Sequence, residues 1–409
     1  MSLTIAIPSY QRPALLARTL NSLFAQSWRS PLEIVVCINQ PDDGYDEALA
    51  PFAGRPELRL VRQTRHTSGG EQLFAVLAQA RHDFVIGLGD DDELDAAVVE
   101  DYLDAMRQCP WASALYAPIH YINRANNEVF IYNHVPEVHQ IGRGDFSGLL
   151  DYLASTSHWP ELGLYRRDAI RRALIPGEYS FYEFNKLAHL LTHGEIIFAR
   201  RAFYHFIVTH AGEPERVNLG STLVMQPAYL ERVRGGLDLL VDRALLQPDL
   251  NVNENTWLRL TEAARKIYLT RLGECFHNLF NAGRYADALE LAARLRAQLV
   301  RPDDRIAGLD HLAVVELARR ILAGRSWLEE LVLYRQAELA RIHAVMKRHV
   351  TTIDSTDEAG TWRGRALFLC AEADRPALAS VVGDEDIISI EDLTEHLLPG
   401  SRSAGSTEA

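Results

Sequence analysis

The chain has 409 residues, a formal net charge of −13 and four cysteines. That length holds two domains with a sizeable core, and the acidic balance argues against non-specific nucleic-acid binding and against adsorption to an anionic membrane. Cys37, Cys109, Cys275 and Cys370 lie far apart with no CxxC pair, which fits a reduced cytoplasmic compartment and offers no zinc motif. No apolar run reaches the ~18 residues of a membrane span, and the early first strand leaves no room for a signal peptide.

Leu3-Thr4-Ile5-Ala6-Ile7 reads as a buried strand, stopped by Pro8-Ser9-Tyr10-Gln11-Arg12-Pro13. Leu16, Leu20, Leu23 and Phe24 then recur at helical spacing, with Pro13 where a first turn tolerates proline. A second apolar strand over residues 32–38 ends at Asn39, before the loop carboxylates Asp42 and Asp43, and a weaker strand lies near Leu58–Val61. A loop, Arg65-His66-Thr67-Ser68-Gly69-Gly70, leads into a helix carrying Leu73, Val76, Leu77 and Ala80. Strand and helix alternating at this rhythm predict βαβ units and a mostly parallel sheet.

The stretch Asp83–Leu94 organises the rest. An apolar run ends abruptly in Asp90-Asp91-Asp92. A buried strand in an open α/β sheet points its carboxyl end at the ligand crevice. Three acids there repel one another unless a cation neutralises them, and a hard divalent ion takes few protein carboxylates and fills its shell with water and phosphates. This predicts a metal–diphosphate site; the alternative is a solvated acidic turn with Asp92 or Asp95 capping the next helix.

After a helix at about 95–107, the spacing predicts strands over Ala114–Ile119, Val129–Tyr132, Leu162–Tyr165, Ile196–Ala199 and Phe203–Val208. Helices are expected over Asp145–Ala154, Arg167–Leu174 and Phe184–Thr192. Beyond about Ser221 the pattern turns to long helices, including a tetratricopeptide-like hairpin over Thr270–Val300 whose single copy makes no array. Ala366–Cys370 and Ile387–Ile390 read as strands flanking a helix at Pro376–Val382.

Ile5-Ala6-Ile7-Pro8-Ser9-Tyr10-Gln11-Arg12-Pro13, the Leu-rich helix ending Ser22-Leu23-Phe24-Ala25-Gln26, and Leu88-Gly89-Asp90-Asp91-Asp92 together resemble the family-2 glycosyltransferases of the GT-A fold. The resemblance covers roughly residues 1–212. It implies an α/β fold, with a GT-A (Rossmann-like, mostly parallel sheet) N-terminal domain followed by a mainly α-helical C-terminal domain. The expected divisions are 1–215 for the catalytic domain, 216–360 for the helical domain, 361–399 for a small βαβ-like unit and 400–409 for a disordered tail. The implied activity is sugar transfer from a nucleotide-diphosphate sugar, usually inverting and using Mn²⁺ or Mg²⁺.

Carried over residue by residue, the resemblance places Pro8 and Tyr10 beside the base and ribose, with Arg12 on the same loop. Asn39 stands where many members have a uracil-contacting aspartate, so UDP, dTDP and GDP donors all stay open. Gly69 and Gly70 let backbone approach the nucleotide, and Arg65 or His66 reaches for phosphate. Asp90 and Asp92 match the family's DxD pair, with Asp92 assigned to direct metal contact, Asp90 to ribose or water-mediated metal contact and Asp91 to the nucleotide sugar, and with His210, or His205 after it, completing the metal shell. Glu183, in Ser180-Phe181-Tyr182-Glu183-Phe184-Asn185, occupies the place of the acceptor-activating base, although Phe184 replaces the family's second acid. His158 and Trp159 lie on the acceptor side. The expected acceptor is a glycan, lipid-linked or protein hydroxyl, and the helical region is expected to present it or to make a homo-oligomer. The rivals are a sugar nucleotidyltransferase, which would open with a glycine-rich basic loop this chain lacks, and a catalytically silent scaffold.

Overall fold

The computed structural model describes residues 2–39, 44–174, 180–209, 227–298, 309–336, 339 and 351–397. His210, Asp42, Asp43 and the expected tail at 400–409 lie outside the described residues. The chain forms two compact units, Met1–Thr270 and Arg271–Ala409.

The first unit opens with β1 (Leu3–Ser9), α1 (Pro13–Phe24), β2 (Leu32–Ile38), α2 (Gly44–Leu49), β3 (Leu58–Arg62), α3 (Gly69–Ala78) and β4 (Phe84–Gly87). It continues through β5 (Glu93–Leu94), α4 (Ala96–Gln108), β6 (Ala112–Tyr116), β7 (Ile119–Asn123), β8 (Glu128–Tyr132) and β9 (His139–Ile141). Then come α5 (Phe146–Thr156), β10 (Gly163–Arg166), α6 (Arg167–Ala173), α7 (Tyr182–His193), β11 (Glu195–Phe198), β12 (Tyr204–Thr209) and α8 (Pro227–Leu245).

Eight strands make the main sheet in the order β3-β2-β1-β4-β10-β6-β11-β9. The first four run parallel, with Ile5 opposite both Ile34 and Ile86. Strands covered on both faces need unbroken apolar runs rather than alternation, and Leu3, Ile5, Ala6 and Ile7 are all fully buried. The stripe of Leu16, Leu20 and Leu23 on α1 packs into the same core as Ile5, Val36 and Ile86. β10 is antiparallel to both β4 and β6, so the residues entering β10 lie beside the carboxyl end of β4.

A smaller sheet has the order β5-β12-β7-β8. The single strand expected over Ala114–Ile119 is in fact two, β6 in the main sheet and β7 in the smaller one. Pro118 sits at the break and has no N–H to give a ladder. The chain therefore changes sheets there instead of running on.

The C-terminal region is mainly helical, with α9 (Glu254–Asn281), α10 (Tyr285–Ala297) and α11 (Leu309–Ala323). The expected hairpin turn is made at Gly283, whose φ of 72° suits glycine, and the Arg284 N–H closes it on the Leu279 carbonyl at 2.9 Å. The second unit also holds a parallel sheet, β14-β13-β15-β16, made of β13 (Glu330–Tyr334), β14 (Thr351–Ile353), β15 (Ala366–Cys370) and β16 (Ile387–Ser389). Among the described residues no helix is long and apolar enough to cross a membrane.

Candidate active site

β4 is buried throughout and delivers Asp90, Asp91 and Asp92 to the carboxyl ends of β1 and β4. The turn is tight: a Cβ on Gly89 would stand 2.5 Å from Asp92 Oδ2. The three acids divide by direction. Asp90 is 6% exposed and accepts from Ser9 Oγ at 2.6 Å, while Ser9 Oγ lies 2.8 Å from Tyr45 OH on α2. Arg12 Nη1 donates to Asp91 Oδ2 at 3.0 Å and lies 3.6 Å from Asp90 Oδ1. Asp92 is 3% exposed and turned inward: Tyr204 OH donates to its Oδ2 at 2.6 Å and the Ile207 N–H to its Oδ1 at 2.9 Å. Tyr204 OH in turn accepts from the Gly89 N–H at 2.9 Å, and Thr19 Oγ1 donates to the Asp92 carbonyl at 3.1 Å. One phenol of the smaller sheet thus pins both ends of the acid turn.

Burial, with the charge of Asp91 next, pushes Asp90 up to about 6 against the pull of Ser9 and Arg12. The same two causes push Asp92 up to about 8, against Tyr204 and Ile207. A cation beside them would favour their charged forms, against the burial and the mutual repulsion that raise them. Among the described residues no three His, Cys, Asp or Glu side chains converge as a closed metal shell. An all-oxygen donor set of few protein ligands nevertheless suits a hard divalent ion that also takes water and phosphate. The residues therefore fit Mn²⁺ or Mg²⁺. Asp92, expected to touch the metal directly, is the acid whose two oxygens the protein already engages; the oxygens facing Arg12 belong to Asp90 and Asp91.

Of the residues expected beside the nucleotide, Pro8 and Tyr10 are half-buried, and the Tyr10 ring lies 4.7 Å from that of His66. Asn39 is 2% exposed and its amide is turned to the chain. Nδ2 donates to the Thr67 carbonyl at 2.7 Å, and Oδ1 accepts from the Thr67 N–H at 2.9 Å. Asn39 thus ties the end of β2 to the loop ahead of α3. That helix starts with a capping box between Ser68 and Glu71. A Cβ on Gly69 or Gly70 would meet nothing within 4 Å, so the space before the helix start is open. Gln72 Nε2 donates to the carbonyls of Ser9 and Cys37, both at 2.9 Å, which fixes α3 against the ends of β1 and β2.

The residues expected on the acceptor side gather around β10. Gly163 passes β6 where a Cβ would lie 2.9 Å from the Leu115 carbonyl. His158 and Trp159 are 2% and 3% exposed. The Trp159 backbone is clasped by the Asn133 amide, and His158 stands edge-on to Phe198 at 4.9 Å. Burial lowers His158 to about 3, so the ring is neutral. Stacking on a sugar needs an open ring face, and neither residue presents one here.

Glu183 sits in the first turn of α7, 1% exposed and ion-paired with Lys186 one turn on. Lys186 Nζ also donates to the Glu161 carbonyl at 2.9 Å and to Tyr165 OH at 3.0 Å. Burial pushes Glu183 up to about 7 against the pull of Lys186. Tyr182 meets Phe74 of α3 edge-on at 6.0 Å, so this helix start lies against α3. His205 stacks on His120 at 5.3 Å. Strand alternation sends it to the face opposite Tyr204, away from the acid turn.

Sequence reasoning missed Ser9, Tyr45, Tyr204 and Lys186. Lys186 was detectable as an i,i+3 partner of Glu183. Tyr204 carried no signal, because its partner lies 112 residues away.

A mostly parallel sheet joined to a small second sheet, with an acid turn between them, is the architecture of the GT-A fold. Residues 4–174 match the family model for glycosyl transferase family 2. The chain is similar to the crystal structure of S. aureus TarS 1-349 in complex with UDP-GlcNAc, at 17% identity and a TM-score of 0.48, covering 78% of this chain and 92% of that one. It is also similar to the mannosyltransferase PcManGT from Pyrobaculum calidifontis in complex with GDP-Man and Mn²⁺, at 16% identity and a TM-score of 0.44, covering 73% and 79%. No curated protein matches the chain.

Proposed function

We propose that the protein moves a sugar from a nucleotide-diphosphate sugar to an acceptor hydroxyl, with inversion at the anomeric carbon and dependence on a divalent metal. The observation that carries this reading is the acid turn itself, whose Asp90 and Asp91 oxygens meet Arg12 past the carboxyl ends of β1 and β4. Pro8, Tyr10 and the loop clasped by Asn39 form the wall for base and ribose. Asp90 and Asp91 would hold the cation, which when bound supplies Lewis-acid stabilisation of the departing nucleotide. Asp92 keeps the turn in place.

Glu183 takes the proton of the acceptor hydroxyl, and a carboxyl pushed up to about 7 suits that task near neutral pH. Lys186 is its ion-pair partner one turn along α7. The acceptor hydroxyl belongs to a glycan, a lipid-linked sugar or a protein.

A thermal-shift panel of UDP, dTDP, GDP and CMP, each with and without Mn²⁺, tests the reading. A ligand of the folded state raises stability by mass action. Metal-dependent stabilisation by one of them is expected, together with slow donor hydrolysis that Asp91→Asn removes. No response to any nucleotide would overturn the proposal.

A further inference from the structure

We propose that Arg12 is a built-in counter-cation for the acid turn: its guanidinium holds the Asp90–Asp91 edge until a diphosphate draws it off, so that a divalent metal enters together with the nucleotide rather than before it. This deepens the proposed function and rests on it.

The place of Arg12 is set by the fold. Its N–H donates to Tyr45 OH at 3.2 Å, and its carbonyl accepts from the Leu16 N–H at 3.1 Å. Gln11 before it is held in the left-handed region at φ 54°, and Pro13 after it starts α1. With the backbone fixed at both ends, only the side chain is left to move. That side chain is 24% exposed and reaches both acids, at 3.0 and 3.6 Å through Nη1. Ser9 holds the other oxygen of Asp90, and Tyr204 and Ile207 hold Asp92. The Asp90–Asp91 edge is thus where Arg12 and an incoming cation meet.

Two cations at contact distance on the same carboxylates repel each other, so Arg12 and the metal compete. A diphosphate resolves the competition, because a guanidinium fork fits phosphate oxygens as well as it fits carboxylate. Donor and metal then each help the other to bind, to the same extent.

The test is Mn²⁺ binding, followed by the electron paramagnetic resonance of the free ion, to native protein, Arg12→Gln and Arg12→Lys. Each is titrated alone and with saturating UDP or GDP. Without nucleotide, Arg12→Gln is expected to bind Mn²⁺ on the order of tenfold more tightly than native protein, a margin set by a part-exposed charge pair. Arg12→Lys keeps the charge and is expected to stay as weak as native protein. The nucleotide is expected to tighten Mn²⁺ strongly in native protein and little in Arg12→Gln. Equal Mn²⁺ affinity of native protein and Arg12→Gln, with nucleotide still binding, overturns the role of Arg12 and leaves the proposed function standing. Tight Mn²⁺ binding by Arg12→Lys overturns it as well. Failure of both Mn²⁺ and nucleotide to bind any of the three proteins removes the proposed function and this inference with it.

Discussion

Replacing Asp92 by asparagine is expected to stabilise the metal-free fold while it weakens the site. Asp92 is buried, and burial followed by the charge of Asp91 pushes it up to about 8 from 3.8. One pKa unit corresponds to ~1.4 kcal/mol, so ionising this group in the folded state costs up to about 6 kcal/mol. Part of that cost is shared with Asp90, and an amide forfeits one of the two hydrogen bonds from Tyr204 and Ile207 at about 1 kcal/mol. The expected outcome at high pH is a net gain on the order of a few kcal/mol, or several °C in Tm for a unit of this size.

The sign follows from proton binding. The folded pKa lies above the unfolded one, so the folded state holds the extra proton between pH ~4 and ~8. Native stability is thus greatest at or below the unfolded pKa and is lost as pH rises through the folded value. Asp92→Asn escapes that loss, and its advantage should grow from near zero at pH ~4 to its full size above pH ~8. Urea unfolding across this range, with chelator present, measures it. An advantage that does not change with pH, or a variant less stable than native protein at pH 8, would refute the argument.

Tyr204→Phe removes the hydroxyl that donates to Asp92 and accepts from Gly89; a loss of about 1–3 kcal/mol is expected by denaturant unfolding, with weaker donor binding by calorimetry. Glu183→Gln is expected to abolish transfer while leaving nucleotide binding within a few-fold of native. In native protein the transfer rate should rise with pH through about 7, because the base acts in its deprotonated form; a flat profile over pH 5–8 rules Glu183 out. Asn39→Ala should cost about 1–2 kcal/mol for the lost clasp on Thr67 and speed amide exchange over residues 65–68, whereas unchanged exchange there would show that the loop is held some other way.

The fold was readable in sequence where a strand is buried on both faces, as in Leu3–Ile7 and Phe84–Gly87, because such strands need long apolar runs. The acid turn was readable because three adjacent carboxylates at the end of a buried strand repel one another, and a bound cation relieves that repulsion. The two- and three-residue strands β5 and β9 were not, since their existence depends on the partner's register and not on their own composition. β13 was hidden for a different reason: Leu331–Tyr334 is a short apolar run soon after a long helix, where periodicity cannot tell strand from buried helix. At the site, the residue types were legible but their directions were not. Nothing local says that Asp92 faces inward to Tyr204 while Asp91 faces outward to Arg12, or that the Asn39 amide is turned to Thr67.

The close seat of α8 on α7 has a practical consequence. Gly236 lies so near Phe184 that an added Cβ would come 2.8 Å from the Phe184 Cβ, and the Phe181 N–H donates to the Arg232 carbonyl at 2.7 Å. Farther along, Gln247 Oε1 accepts from the Ser147 N–H, and Arg259 reaches Ser147 Oγ and Asp151. A chain cut at 174 or 215 would strip this cover from the helix that carries Glu183 and leave a greasy flank facing water. The shortest fragment worth purifying therefore runs past α8 to the end of α9, well beyond the stretch that the family model matches.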